Sequence, residues 1–163
     1  MTNQATLYLL CGKVASGKST FANALAAEPG VLLLQEDFWL AGLFADELVT
    51  LADYVRCSRR LRQTMTPHIT ALLQQGLSVV LDFQANTVES RQWMMELIMA
   101  AGCQHQLHYF DVPDEVCKAR LNLRNASGKH EFSVSDDEFD RISHHFQPPS
   151  EDEGFNVLTH TAE

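Results

Sequence analysis

Long apolar runs are missing from this 163-residue chain. No stretch reaches the roughly 18 consecutive apolar residues that a membrane-spanning helix needs. The N-terminus also lacks a basic patch followed by a hydrophobic core and a small-residue cleavage site, so the chain is expected to be soluble, unsecreted and cytoplasmic. Cysteine is scarce: Cys11, Cys57, Cys103 and Cys117 lie far apart and form no Cys-x-x-Cys pair. That spacing argues against a zinc site and a disulfide framework, and fits reduced thiols. The histidines, the His144-His145 pair included, show no ligand spacing with carboxylates or cysteines. Positive charge is in deficit, with 12 Lys and Arg against 21 Asp and Glu and a net charge of −9. Binding to a polynucleotide draws its affinity from cations that neutralise phosphates, so a small-molecule partner is favoured over nucleic acid.

What is present suffices for one compact domain over 1–163, because 45% of the residues are hydrophobic. Strand and helix signals alternate along it. Thr6 to Leu10 and Val31 to Leu34 are short apolar runs, and Val79-Val80-Leu81, Leu107 to Phe110 and Phe155 to Leu158 follow. Between them lie helical patterns over Lys18 to Ala27, about Asp46 to Gln75, Asn86 to Met99, Pro113 to about Arg124, and Ser135 to Phe146. Thr66-Pro67 predicts a kink or a fresh start inside the long helix. Asn86 with Glu89, and Ser135 with Glu138, read as capping boxes. The polar Asn125 to His130 stretch suggests a mobile lid around 120–134. The expected fold is a three-layer α/β domain around a mostly parallel five-stranded sheet.

Gly12-Lys13-Val14-Ala15-Ser16-Gly17-Lys18-Ser19 matches G-x-x-x-x-G-K-[ST] between a strand and a helix. Glycines let backbone N–H groups curl round a phosphate, Lys18 reaches the β- and γ-phosphates, and Ser19 offers its hydroxyl to Mg²⁺. The helix that follows, through Thr20, points its positive end at the same anion. Lys13 lies in this loop without an individual role.

Three aspartates follow strands, at the sheet edge where ligands of open parallel sheets sit. Asp82 is the best match to the aspartate that holds Mg²⁺ beside a P-loop, the alternative being a loop cap. Asp37 is placed to accept a proton from an acceptor hydroxyl, or else to N-cap the next helix. Asp111 reads as the cap of the helix begun by Pro113. Arg56, Arg59, Arg60 and Arg62 form the one dense basic cluster, suited to a solvated helix face or to an acidic acceptor. Trp39 reads as a core anchor.

With Gly12 to Thr20, Asp37, Val79-Val80-Leu81-Asp82, Arg91, Arg120-Leu121-x-x-Arg124 and the Phe146 to Gly154 tail in place, the chain resembles the AAA-domain family of small P-loop kinases. That group is similar to chloramphenicol phosphotransferase, zeta-toxin kinases and the kinase domain of polynucleotide kinase. The resemblance implies strand order 2-3-1-4-5, with Asp82 beside the P-loop and Asp37 one strand further out, facing the acceptor. It also implies that Arg120 and Arg124 reach the nucleotide from the lid side and offset charge on the moving γ-phosphoryl group. The chain departs from its relatives at Val14-Ala15, where Pro and Gly are common, and at Phe83-Gln84 after Asp82.

The expected activity is transfer of a phosphoryl group from ATP, with Mg²⁺, to a small hydroxylated or nucleotide-like acceptor. Lys18, Asp37, Arg120 and Arg124 are then catalytic, and Ser19 and Asp82 hold the metal. The alternative is an ATP-binding switch with weak hydrolysis and no dedicated acceptor. No Asn-Lys-x-Asp segment for reading guanine is present, which favours ATP over GTP.

Overall fold

The computed structural model describes residues 4–128 and 133–162. Its five strands, β1 (Thr6–Gly12), β2 (Val31–Gln35), β3 (Ser78–Gln84), β4 (Gln104–Asp111) and β5 (Val157–Thr161), form one sheet in the order β2-β3-β1-β4-β5. Every neighbouring pair is parallel. Among the described residues six α-helices connect them: α1 (Lys18–Ala26), α2 (Glu36–Phe44), α3 (Leu51–Gln74), α4 (Val88–Ala101), α5 (Asp114–Ser127) and α6 (Asp136–Ser143). The expected fold and strand order are those observed.

Side-chain alternation along the central strands separates two layers of core. Leu7 and Leu9 of β1 join Val79 and Leu81 of β3 against Cys57, Leu61, Met65, Ile69 and Leu73 of α3 and Met94 and Leu97 of α4. Leu10, on the other face with Tyr8, packs with Val80, Phe110 and Ala22 of α1. Residues two apart share a face of a strand, so the central strands β1 and β3, covered on both faces, carry continuous apolar runs, whereas β4 and the edge strand β5 are mixed with polar residues.

Several local expectations change. α3 runs unbroken through Pro67. Thr66 there turns its hydroxyl back to the Arg62 carbonyl at 2.7 Å while accepting a bond from the Trp93 indole at 2.8 Å. The N-cap of α4 is Thr87, whose side chain accepts from the Ser90 N–H, and Asn86 is used elsewhere. Asp111 ends β4, and α5 begins at Asp114 without a side-chain cap, because the fixed φ of Pro113 opens that helix. α5 extends past Arg124 to Ser127, with Gly128 in the left-handed region as its stop. The stretch read as a lid is therefore helical up to Ser127, and Asn125 donates to the Val134 carbonyl at 2.6 Å. Lys129 to Phe132 of that stretch lie outside the described residues. Trp39 is 37% exposed on α2 and anchors no core.

Among the described residues, Arg91 is the polar side chain buried most completely. Arg91 of α4 is 0% exposed and sends its guanidinium to the Glu153 carboxylate at 2.6 and 3.2 Å. It also donates to the carbonyls of Ala85, Gln147 and Pro148 at 2.9, 2.8 and 3.3 Å. The irregular segment that leads to the edge strand β5 is thereby tied to the sheet.

Candidate active site at the carboxyl end of the sheet

The loop after β1 is shaped by close approach and by unusual backbone angles. A Cβ on Gly12 would stand 2.6 Å from Ser16 Oγ and 2.9 Å from Phe110 Cβ, so only glycine lets the loop fold back over β4. Asn86 brackets the same residue, accepting from its N–H at 2.9 Å and donating to its carbonyl at 2.8 Å. Gly17, at φ 107°, turns the chain into α1. Ala15 stands at φ 62°, a left-handed position where a side chain costs on the order of 1 kcal/mol. Gly12→Ala is expected to lower stability by about 1–3 kcal/mol through overpacking and to weaken nucleotide binding at the same time. A urea melt alongside a nucleotide titration checks this, and an unchanged melt would mean that β4 yields.

Lys18 opens α1 with its ammonium group buried. It donates to the carbonyls of Gly12 and Lys13 at 2.5 and 2.8 Å and lies 3.5 Å from Ser16 Oγ. Burial pushes its pKa down to about 8, against attraction from Asp82 and other groups. A desolvated cation held by neutral carbonyls is a strong receptor for an anion. One residue on, the Ser19 hydroxyl donates to Asp82 Oδ2 at 3.0 Å. Burial raises the Asp82 pKa, opposed by the Ser19 hydrogen bond and by Lys18. Asp82 lies within β3 opposite Gln35 of β2 and does not close the strand, which runs on to Gln84.

Around this centre the other expected residues separate. Arg120 Nη1 donates to the Ser16 carbonyl at 3.2 Å, which sets its charge over the loop. Arg124 stands one turn further on, half-buried in the last turn of α5. Lys13 pairs with Asp114 at 2.8 Å and lies 5.7 Å from the Phe146 ring centroid. Thr20 is exposed on the first turn of α1.

Asp37 is the second residue of α2, whose N-cap is Gln35, so Asp37 is not the cap itself. Its Oδ1 lies 3.4 Å from the Tyr54 hydroxyl, which is 3.0 Å from Glu36 Oε1. Sequence reasoning missed Glu36, which is 1% exposed and also accepts from Ser58 Oγ at 2.6 Å, with Arg62 Nε at 3.5 Å. The signal for it was an acidic pair at the end of an apolar strand. Burial and the Glu36 and Asp37 charges hold the Tyr54 pKa well above its usual value, so this hydroxyl stays a donor.

A cavity of about 230 Å³ opens between the P-loop and α3. Val14, Tyr54, Val55, Ser58, Ser90 and Phe146 are among its walls, with Lys13 at the loop side.

The AAA domain family model matches residues 7–149, most of the chain. The chain belongs to this family. No match was found among curated protein sequences. Among solved structures, it is similar to a candidate kinase from Chloroflexus aurantiacus, with 21% identity, coverage of 99% of this chain and 86% of the other, and a TM-score of 0.76. A similar fold occurs in the APS kinase of Mycobacterium tuberculosis in complex with AMPPNP and APS, with 23% identity, 96% and 88% coverage and a TM-score of 0.60. A gluconokinase from Sinorhizobium meliloti matches at 14% identity, 97% and 83% coverage and a TM-score of 0.54. At these identities the likeness is one of fold.

Proposed function

We propose that this AAA-domain protein is a Mg²⁺-dependent phosphotransferase that moves the γ-phosphoryl group of ATP to a hydroxyl of a small acceptor. The observation that carries the proposal is the cavity next to the P-loop, one of whose walls, Tyr54, touches Asp37 through its hydroxyl. A phosphate loop that opens onto an acceptor-sized space suits transfer better than a bare nucleotide switch.

The residues present fit the nucleotide and its metal. Ser19 Oγ and the Asp82 carboxylate, 3.0 Å apart, are the hard oxygen donors that Mg²⁺ prefers. Bound there, the ion supplies positive charge that neutralises phosphate oxygens. Lys18 exchanges its loop carbonyls for phosphate oxygens, and Arg120, with Arg124 behind it, offsets charge as the phosphoryl group moves. Asp37 takes the proton. The acceptor oxygen bonds to the γ-phosphorus, the bond from that phosphorus to the bridging oxygen breaks, ADP leaves, and the hydroxyl proton passes to the Asp37 carboxylate.

ADP release from Mg²⁺-ATP, with pooled sugars, nucleosides, antibiotics and oligonucleotides added in turn, tests the reading, with Lys18→Ala as the blank. One pool is expected to stimulate release, and Asp37→Asn to reduce that rate by roughly 10²–10⁴-fold. Stimulated release that survives Asp37→Asn unchanged would remove Asp37 from the chemistry. A flat response alongside measurable ATP binding would instead favour the nucleotide-dependent switch.

A further inference from the structure

We infer that the cavity beside the P-loop is built for an uncharged acceptor that carries its hydroxyl on a largely apolar body; this rests on the kinase reading of the same site. The walls supply the first reason. Val14 from the loop, Leu51, Tyr54 and Val55 from α3, and Ile142 and Phe146 from the α6 end face the space. Leu51 and Val55, 47% and 39% exposed, also line a shallow depression outside it with Ala52, Arg56 and Arg59, so their apolar surface continues beyond the cavity, bordered there by the two arginines. Apolar residues left partly exposed at a concave site favour a ligand that covers them.

The second reason is the state of the cations. One lysine and two arginines border the cavity, each with an acidic partner, and His145 adds an imidazole to the lining. Lys13 pairs with Asp114 at 2.8 Å, Arg59 with Glu89 at 3.0 Å, and Arg62 with Glu36 at 3.5 Å. Arg62 is further spent on Ser90 Oγ at 2.7 Å and on the Trp93 ring, 5.4 Å from its centroid. Arg56, just outside, is held by Glu47 and Asp53 at 3.4 and 3.5 Å. A negatively charged acceptor would have to take one of these cations from its carboxylate, and that carboxylate would then repel it. The basic cluster of α3, suggestive in the sequence of an acidic acceptor, is thus neutralised where it meets the cavity. The remaining polar groups, including Ser58, Gln84, Thr87 and Ser90, suit neutral hydrogen bonding.

A matched pair of probes separates the alternatives: methyl 4-(2-hydroxyethyl)benzoate, which is neutral, and 4-(2-hydroxyethyl)benzoate, which differs by one negative charge. Binding of each to the full chain, saturated with Mg²⁺ and a non-hydrolysable ATP analogue, is read by ligand-observed NMR titration. The ester is expected to bind at least about tenfold more tightly. Glu89→Gln, which releases Arg59, should narrow the gap, and Val55→Lys, which adds an unpaired cation on an exposed helix position, should reverse it. Equal or tighter binding of the anion to the wild type would overturn the inference. So would binding of neither probe at millimolar concentration, or an ester signal that Val55→Lys leaves unchanged. Binding requires no turnover, so failure here is distinct from failure of the kinase reading, which ADP release decides.

Discussion

Arg91→Met is expected to remove about 3–5 kcal/mol of folding stability and to lower the melting temperature by roughly 10 °C, the largest stability effect of any single side chain discussed above. Methionine fills most of the space but donates nothing. The Glu153 carboxylate, whose side chain is 14% exposed, would lose its bidentate partner, and the Ala85, Gln147 and Pro148 carbonyls would lose their donor. The cost comes from what is left behind, since a buried ion without its partner is penalised more heavily than an apolar replacement of the pair. Burial alone would raise the Glu153 pKa, yet the bonds from Arg91 and Ser150 hold it below the usual carboxylate value. A group depressed in the folded state contributes stability above its unfolded pKa of about 4.5, and loses it as pH falls through the folded value. The variant should lack that acid-side slope. Urea melts of Arg91→Met, Glu153→Gln and the double variant decide the matter. A double-variant loss equal to the sum of the single losses would mean that the two residues do not act as a pair.

Which parts of this molecule can be read from its sequence depends on how local the determinant is. The P-loop is local: eight consecutive residues specify both its backbone and its chemistry, and Lys18, Ser19 and Gly17 stand where their spacing places them. The parallel α/β architecture is also legible, because apolar runs alternating with amphipathic helices leave few ways to cover both faces of a parallel sheet, whereas the order of the strands is implied only by the family resemblance. Contacts across long sequence separations are not legible. Asn86, with Glu89 three residues on, satisfies a capping-box pattern, but its amide meets Gly12, 74 residues earlier, and Thr87 takes the cap instead. Arg91 was noticed within a motif, but nothing local reveals that its partners other than the Ala85 carbonyl lie 56 to 62 residues downstream. Glu36 and Asp37 are adjacent carboxylates with opposite fates, one buried among Tyr54, Ser58 and Arg62 and the other exposed beside the Tyr54 hydroxyl. The way β2 turns into α2 decides between them, and no composition rule encodes that turn. The arginines of α3 show the same limit, because a dense basic run looks free for an anion until the acids of α4 and of the β2 end fold against it.

Lys18→Met is expected to separate function from stability, losing at least about 10²-fold in phosphoryl transfer while making the nucleotide-free chain more stable by about 1–2 kcal/mol. The ammonium group is desolvated, and its pKa falls from 10.5 to about 8. At neutral pH the folded chain therefore carries a buried charge that the unfolded chain solvates freely, an unfavourable balance of up to about 3 kcal/mol. Part of the gain from its removal is offset by lost hydrogen bonds to the Gly12 and Lys13 carbonyls, the former still served by Asn86. The pH dependence follows from the sign of the shift. Between about 8 and 10.5 the folded lysine has released its proton while the unfolded one retains it, so this group makes wild-type stability rise with pH across that window. The advantage of methionine should be full below pH 8 and vanish by about 10.5. Groups that do not interact with Lys18 are common to both proteins and drop out of the comparison, whereas Cys11, raised to about 11 by burial and lowered in part by the Lys18 charge, is coupled to this lysine and adds to the difference at the alkaline end of the window. Chemical denaturation of both proteins at pH 7 and pH 10 without nucleotide measures the difference. A wild type more stable than Lys18→Met at pH 7 would show that the loop carbonyls satisfy the cation, and that Lys18 does not wait under strain for a phosphate.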